Sequence, residues 1–283
     1  MNVSQLLDTS ITRLTPLFDT ARLDAEVLLS FALGWSRTHL ITRDKELLSA
    51  EQINVVTRLM SRRVSGEPVA YIVGEQEFWS LPLKVNTSTL IPRPETEHLV
   101  EAALTCLPKN ETKSVLDLGT GSGAIVLALA TERPLNQYAA VDISAEALNV
   151  ARHNANNLKL TGITFLQGSW FSPLVQQRFD LIVSNPPYIE STDEHLCQGD
   201  VAAEPVSALV SGKDGLDDIR IISERAKSFL VDSGWLMMEH GWNQAADVRG
   251  ILAANTYQNI HTIKDFSDME RLTIAQFKST DES

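Results

Sequence analysis

Residues 114–123 read S-V-L-D-L-G-T-G-S-G, and residues 138–142, a short way on, read Y-A-A-V-D. Ser114 to Leu118 is an apolar-rich run of the kind found in a strand buried on both faces. It leads into glycines at 119, 121 and 123 and then into an apolar stretch that predicts a helix from Gly123 to Thr131. Glycine adopts backbone angles that a side chain forbids, and it lets a ligand approach the unpaired N–H groups where a helix begins. The next predicted strand, Tyr138 to Val141, ends at Asp142, 23 residues after Gly119. A carboxylate there can accept both hydroxyls of a ribose. Gly119, Thr120, Gly121, Ser122, Gly123 and Asp142 therefore describe a nucleoside pocket. Two ligands fit the loop. Gly119, Gly121 and Ala124 satisfy the dinucleotide form G-x-G-x-x-A, which allows NAD. Asp117, two places before the first glycine, would repel a pyrophosphate and favours a cationic, amino-acid-bearing ligand such as S-adenosylmethionine.

The same alternation extends outward. After the helix predicted from Ala145 to Asn157, strands are expected at Ile163 to Leu166, Phe179 to Ser184, Trp235 to Glu239, Asn259 to Ile263 and Leu272 to Phe277. Helices are expected near Asp217 to Leu230 and Gln244 to Ala254. This pattern predicts an α/β fold with a mostly parallel sheet covered by helices on both faces and a ligand beyond the carboxyl ends of the strands. Upstream the chain is helical. Leu23, Val27, Leu28 and Phe31 form one expected apolar stripe, and Ile53, Val56, Leu59, Met60 and Val64 another. Tyr71 to Val85 reads as short β-prone pieces punctuated by Gly74 and Pro82, a hairpin-like connector. A helix then starts at Pro94. The expected organisation is a helical domain over 1–73, a β-hairpin connector over 74–92 and an α/β domain over 93–283, with residues 279–283 as a frayed tail.

The strand ending at Ser184 delivers Asn185, Pro186, Pro187 and Tyr188 to the carboxyl edge of the sheet. Consecutive prolines fix φ and lack N–H donors, so they present rigid carbonyls. The Asn185 side-chain oxygen and the Pro186 carbonyl can accept the two hydrogens of one NH₂ group, while Tyr188 offers a face for a planar group to stack on. An amide or aromatic amine is a poor nucleophile because its lone pair is delocalised, so aligning that nitrogen with an electrophilic methyl is what such a site must supply. Trp170, after the third strand of the alternation, is placed to pack on an adenine.

Composition narrows the function classes. The 283 residues are 43% hydrophobic and 21% charged, with no repeat or low-complexity segment, which describes a folded globular chain. Neither a membrane span nor an export signal is apparent, and Cys106 and Cys197 stand in no metal or disulfide spacing, so a cytoplasmic location is expected. The formal charge of −12 opposes non-specific attraction to nucleic acid. The six histidines show no ligand spacing, and no metal site is expected; His240 is placed near the crevice in a structural role. Arg58, Arg62 and Arg63 share one helical face, expected to be solvated.

Further segments accompany these motifs: Arg62 and Arg63 followed by G-E-P at 66–68, E-F-W-S-L-P at 77–82, I-P-R-P-E-T-E at 91–97, Glu204 with Pro205, E-H-G-W at 239–242, and Glu270 with Arg271. Together with D-L-G-T-G-S-G at 117–123 and N-P-P-Y-I at 185–189, the chain resembles the release factor glutamine methyltransferase family over almost its whole length. The resemblance implies a Rossmann-like methyltransferase domain that uses S-adenosylmethionine and leaves S-adenosylhomocysteine. It implies transfer of a methyl group to the side-chain amide nitrogen of the glutamine in the Gly-Gly-Gln motif of class 1 peptide chain release factors. Carried over, Gly119 to Gly123, Asp142 and Trp170 bind the donor, and Asn185 touches both donor and glutamine. Pro186, Pro187 and Tyr188 complete the glutamine site, with Asn185, Pro186 and Tyr188 as the catalytic set. The helical domain would dock the release factor, and no direct nucleic-acid or membrane partner is expected. The alternatives are an amino-methyltransferase acting on a nucleic-acid base, which would use the same tetrad, and a non-catalytic nucleotide-binding module.

Overall fold

The computed structural model describes residues 1–279; of the expected frayed tail, residues 280–283 lie outside the described residues. The chain divides into two units, the first made of Met1–Glu75 together with Glu194–Ala203, the second of Gln76–Asp193 and the chain from Glu204 onward.

The first unit is helical: α1 Val3–Leu14, α2 Ala21–Leu33, α3 Arg37–Thr42, α4 Ala50–Val64 and α5 Val69–Val73. Asn2 with Gln5 and Ser49 with Gln52 form capping boxes that satisfy the first amides of α1 and α4. The core holds Val3, Leu14, Leu28, Leu29, Val56 and Met60, where each fully buried side chain contributes roughly 1.5–3 kcal/mol. Four sequence expectations are corrected here. On α2 the buried face is Ala21, Asp24, Ala25, Leu28 and Leu29, whereas Leu23 and Phe31 are exposed; the small alanines allow close approach to the neighbouring helices and set the rotation. On α4, Val56 and Met60 are buried while Val64 is exposed. Arg63 does not lie on a solvated face. It is buried over the Phe18 ring, its Nε donates to Asp24 at 2.7 Å and its Nη1 to Asp200 at 2.5 Å. Tyr71 to Val73, expected as strand, closes α5 before Gly74.

The hairpin of β1 Glu75–Phe78 and β2 Leu81–Lys84 follows, and from Gln76 on it belongs to the second unit. Then come α6 Glu97–Thr105, β3 Ser114–Leu118, α7 Ala124–Glu132, β4 Gln137–Asp142, α8 Ala145–Asn157, β5 Ile163–Gln167 and β6 Phe179–Ser184. The unit closes with α9 Asp217–Ala226, β7 Leu230–Glu239, α10 Ala245–Ala254, β8 Gln258–Lys264 and β9 Glu270–Gln276. β7 starts earlier than its sequence suggests because Leu230 already pairs with Phe179.

The seven-stranded sheet has the order β5-β4-β3-β6-β7-β9-β8, parallel except for β9. From β3 the chain winds outward through β4 to β5, then returns to the other side of β3 as β6. That reversal makes a crevice between the carboxyl ends of β3 and β6, where Leu118 pairs with Ser184. Alternate residues of each strand feed two cores. Val115, Leu181 and Val183 pack with α6 and α7 on one face; Leu116, Leu118 and Ile182 pack with α9 and α10 on the other. Burial on both faces is why these strands read as continuous apolar runs.

Candidate active site

The loop after β3 and the loop after β6 emerge side by side at this crevice. Gly119 adopts φ +71°, a left-handed backbone conformation that favours glycine, and the Trp170 indole lies over the loop, 3.4 Å from where a Cβ would stand. Gly121 donates its N–H to Asp142 Oδ2 at 2.8 Å, and Ser144 donates its N–H to Oδ1 at 2.9 Å. Each oxygen keeps a second lone pair for a ligand hydroxyl. Burial pushes the Asp142 carboxyl up, against the pull of these amides. Gly119, Gly121, Asp142, Trp170 and Asn185, with Pro187, line one cavity of about 250 Å³.

Thr120, Ser122 and Gly123 point elsewhere. The Thr120 hydroxyl donates to Asp117 Oδ2 at 2.7 Å. Ser122 is buried, and its carbonyl accepts from Asn154. A Cβ on Gly123 would come within 2.9 Å of Leu127 Cδ1, so this glycine serves the packing of α7. Asp117 itself is buried, and its Oδ1 has no hydrogen-bond partner among the described residues. Burial pushes its carboxyl up to about 7, opposed by the Thr120 hydroxyl. A buried acceptor left unmatched costs about 1–3 kcal/mol, and Asp117 does not line the cavity.

Asn185 follows β6 directly, and its Nδ2 donates to Thr96 Oγ1 at 3.1 Å. Among the described residues neither Asn185 Oδ1 nor the Pro186 carbonyl accepts a hydrogen bond, so both acceptors are unspent. Tyr188 is half-buried; its Oη lies 3.5 Å from Glu239 Oε1 and its carbonyl accepts from Gln244. Burial and the Glu239 carboxyl push the Tyr188 phenol up. Pro186 is buried and, like Tyr188, does not line the cavity, whereas Pro187 does.

The segment from 91 to 97 fastens this corner. The Ile91 N–H donates to Glu204 Oε1 at 3.0 Å, Arg93 pairs with the other oxygen of Glu204, and Glu97 accepts the Trp79 N–H at 2.7 Å. Sequence reasoning missed the further cavity wall formed by Ser88, Thr89, Leu90, Ser144, Pro205, Ser207, Ala208 and Asp218. Ser144 alone carried a local signal, as the N-cap of α8 just after Asp142. The others come from segments distant in the chain, Asp218 from the first turn of α9. His240 is buried between Thr273 Oγ1 at 2.8 Å and the Gly241 carbonyl, a structural placement, and burial lowers its pKa.

Residues 98–212 match the Methyltransferase small domain family, and residues 5–74 match the PrmC N-terminal domain. The chain is 51% identical to the release factor glutamine methyltransferase of Vibrio cholerae serotype O1 over 266 residues, which cover 94% of this chain and 93% of that protein. It is 46% identical to the release factor glutamine methyltransferase of Escherichia coli K12 over 259 residues, 92% and 93% of the two chains. A methyltransferase from Pyrococcus furiosus shares the fold, with a TM-score of 0.54 and 16% identity over 79% of this chain and 99% of that one. With near-full-length identity of this order, and a Gly119–Asp142 pocket opening beside Asn185 and Pro187, the chain belongs to the release factor glutamine methyltransferase family.

Proposed function

We propose that the cavity binds S-adenosylmethionine and that the protein methylates the side-chain amide nitrogen of the glutamine in the Gly-Gly-Gln motif of class 1 release factors. The observation that carries this is the pair of free acceptors, Asn185 Oδ1 and the Pro186 carbonyl, with Asn185 itself on the wall of a nucleoside-type cavity. Asp142 would take the ribose hydroxyls, Trp170 and Ser169 the adenine side, and Asp117 the cationic amino-acid end. The donor supplies an electrophilic methyl group. Asn185 and the Pro186 carbonyl hold the amide NH₂ with its nitrogen toward that methyl, and as acceptors they favour the positive charge that grows on nitrogen in the transition state. Tyr188 walls the side of the planar amide.

The helical unit is the proposed docking surface for the release factor. Docking a protein suits a chain of net charge −12 better than docking nucleic acid does. Among the described residues no helix is long and apolar enough to cross a membrane and both cysteines are free thiols, which supports a cytoplasmic enzyme. The test offers labelled S-adenosylmethionine with release factor, release factor whose motif glutamine is replaced by alanine, DNA and RNA in parallel. Label only in the first is expected. Label in nucleic acid alone would overturn the proposal.

A further inference from the structure

Part of the cavity wall is supplied by the sheet and part by loops. Gly119, Asp142 and Trp170 stand at or just beyond strand ends. Ser88, Thr89 and Leu90 come from one segment outside the sheet, and Pro205, Ser207 and Ala208 from another. A wall without ladder bonds opens at little cost unless something else fastens it.

Glu204 supplies that fastening. Its side chain is wholly buried, 0% exposed, and both oxygens are engaged: Oε1 accepts the Ile91 N–H at 3.0 Å, and Oε2 pairs with Arg93. Ile91 directly follows Leu90, and Pro205 directly follows Glu204, so one carboxyl joins the roots of two wall segments 113 positions apart. Bonds from an amide and a guanidinium to a carboxylate are the strong, charge-assisted kind, and a buried carboxylate that lost them would have no water in exchange.

The outer ends are tied separately. Ser88 donates its N–H to Asn86 Oδ1 at 2.9 Å, and Thr89 donates its N–H to the Asn86 carbonyl at 3.0 Å. Past Ala208, the Leu209 carbonyl accepts the N–H of Ile189, the residue after Tyr188, at 2.8 Å. Each segment is thus held at both ends, and Glu204 is the end they share. Pro205, at φ −62°, carries the direction set there into the turn Val206–Ala208, where the Ala208 N–H donates back to the Pro205 carbonyl at 2.9 Å.

We propose that Glu204 is a positioning residue for the methyl donor, clamping 88–91 and 204–208 into one wall so that the cavity retains S-adenosylmethionine. The proposal rests on the donor reading of the cavity given above. Glu204 is not itself among the residues lining the cavity; it acts through its neighbours in the chain.

The test compares the parent with Glu204→Ala, which removes both bonds, and Glu204→Gln, which keeps an acceptor for Ile91 and loses the charge. Calorimetric titration with S-adenosylmethionine should show a Kd about tenfold or more weaker in Glu204→Ala, and an intermediate value, about threefold weaker, in Glu204→Gln. The stoichiometry should be unchanged, whereas partial unfolding would lower the stoichiometry and leave the Kd of the folded fraction alone. A second measurement needs no donor: amide hydrogen exchange by NMR. The Thr89 and Ala208 amides should exchange at least about tenfold faster in Glu204→Ala, with the amides of β3 unchanged. If Glu204→Ala does not fold, the same two readouts on Glu204→Gln decide, each expected to move about threefold. Donor affinity within threefold of the parent in Glu204→Ala overturns the proposal, as does equal exchange at Thr89 and Ala208. A parent protein that binds no S-adenosylmethionine would instead overturn the donor reading of the cavity, and the exchange comparison would still decide whether Glu204 joins the two segments.

Discussion

The Trp170 indole N–H donates to Asp218 Oδ1 at 3.1 Å, while Asp218 Oδ2 accepts the Ser211 hydroxyl at 2.8 Å. This bond holds a tryptophan whose backbone sits at φ +50°, a conformation that costs on the order of 1–3 kcal/mol and persists only when its surroundings enforce it. Asp218→Ala should therefore let the ring drift from Gly119 and weaken S-adenosylmethionine binding about tenfold, or ~1.4 kcal/mol. Calorimetric titration measures this, and an unchanged Kd would remove Trp170 and Asp218 from the donor wall.

Asp142 has two duties, since it holds the Gly121 and Ser144 amides as well as facing the cavity. Asp142→Ala should raise the donor Kd by ~10- to 150-fold, equivalent to about 1.5–3 kcal/mol. Asp142→Asn, which keeps one acceptor oxygen, should lose less. If both variants bound the donor as the parent does, the ribose would have to lie elsewhere.

Asn185→Ala removes an acceptor that matters most as charge develops on the amide nitrogen. Single-turnover transfer should drop ~10²- to 10³-fold, with a smaller defect in donor affinity because the Gly119 loop and Asp142 remain. A rate within about threefold of the parent would mean that the tetrad does not orient the nucleophile.

Asp117 gives a pH signature. Burial holds its carboxyl near 7 in the donor-free protein, with the Asp142 charge adding to the shift and the Thr120 hydroxyl opposing it. In the proposed site the donor's cationic end would favour the ionised form, so binding below that pH would expel a proton. Affinity should thus rise as pH increases through 7 and level off above it, being about tenfold weaker at pH 6 than on the plateau. Asp117→Asn should flatten the profile. Stability of the donor-free protein runs the opposite way. The folded state binds this proton more tightly than the unfolded chain, so the contribution is complete below about pH 4 and is lost as pH rises through 7. Thermal melts between pH 5 and 8 would show a parent midpoint that falls with pH more steeply than that of Asp117→Asn; parallel curves would contradict the assignment.

Arg63 makes a prediction about stability alone. Arg63→Met would leave Asp24 buried with its charge unpaired and would release Asp200, at a cost of about 3–5 kcal/mol to the helical unit. Denaturant unfolding followed by circular dichroism reads this directly, and a loss below about 1 kcal/mol would show that Asp24 finds another partner.

What the sequence determined by itself was local or periodic. The apolar runs at Ser114 to Leu118 and Phe179 to Ser184 are strands over those very residues, because a strand covered on both faces leaves no choice of residue type along it. Gly119, Gly121, Asp142, Asn185 and Pro187 were legible as neighbours of one cavity because each stands at or just after the end of such a strand, whereas Pro186 and Tyr188 do not line it. Only the tertiary structure decided what depends on partners far away in the chain. Whether Leu23 and Phe31 of α2 are covered follows from which helices pack against Ala21 and Ala25, not from the period of the helix itself. Arg63 looks like a surface charge until Asp24, 39 residues earlier, and Asp200, 137 residues later, meet it. Nothing in the text at 194–203 announces that this segment belongs with the helical unit. The same holds in the site. Thr96 reads as a first-turn residue of the helix expected from Pro94, and its bond to Asn185, 89 positions away, exists because the winding of the sheet reverses at β3 and brings the chain back as β6. Sequence periodicity records which face of an element is apolar; the identity of the group that meets a polar side chain is set only when the elements pack.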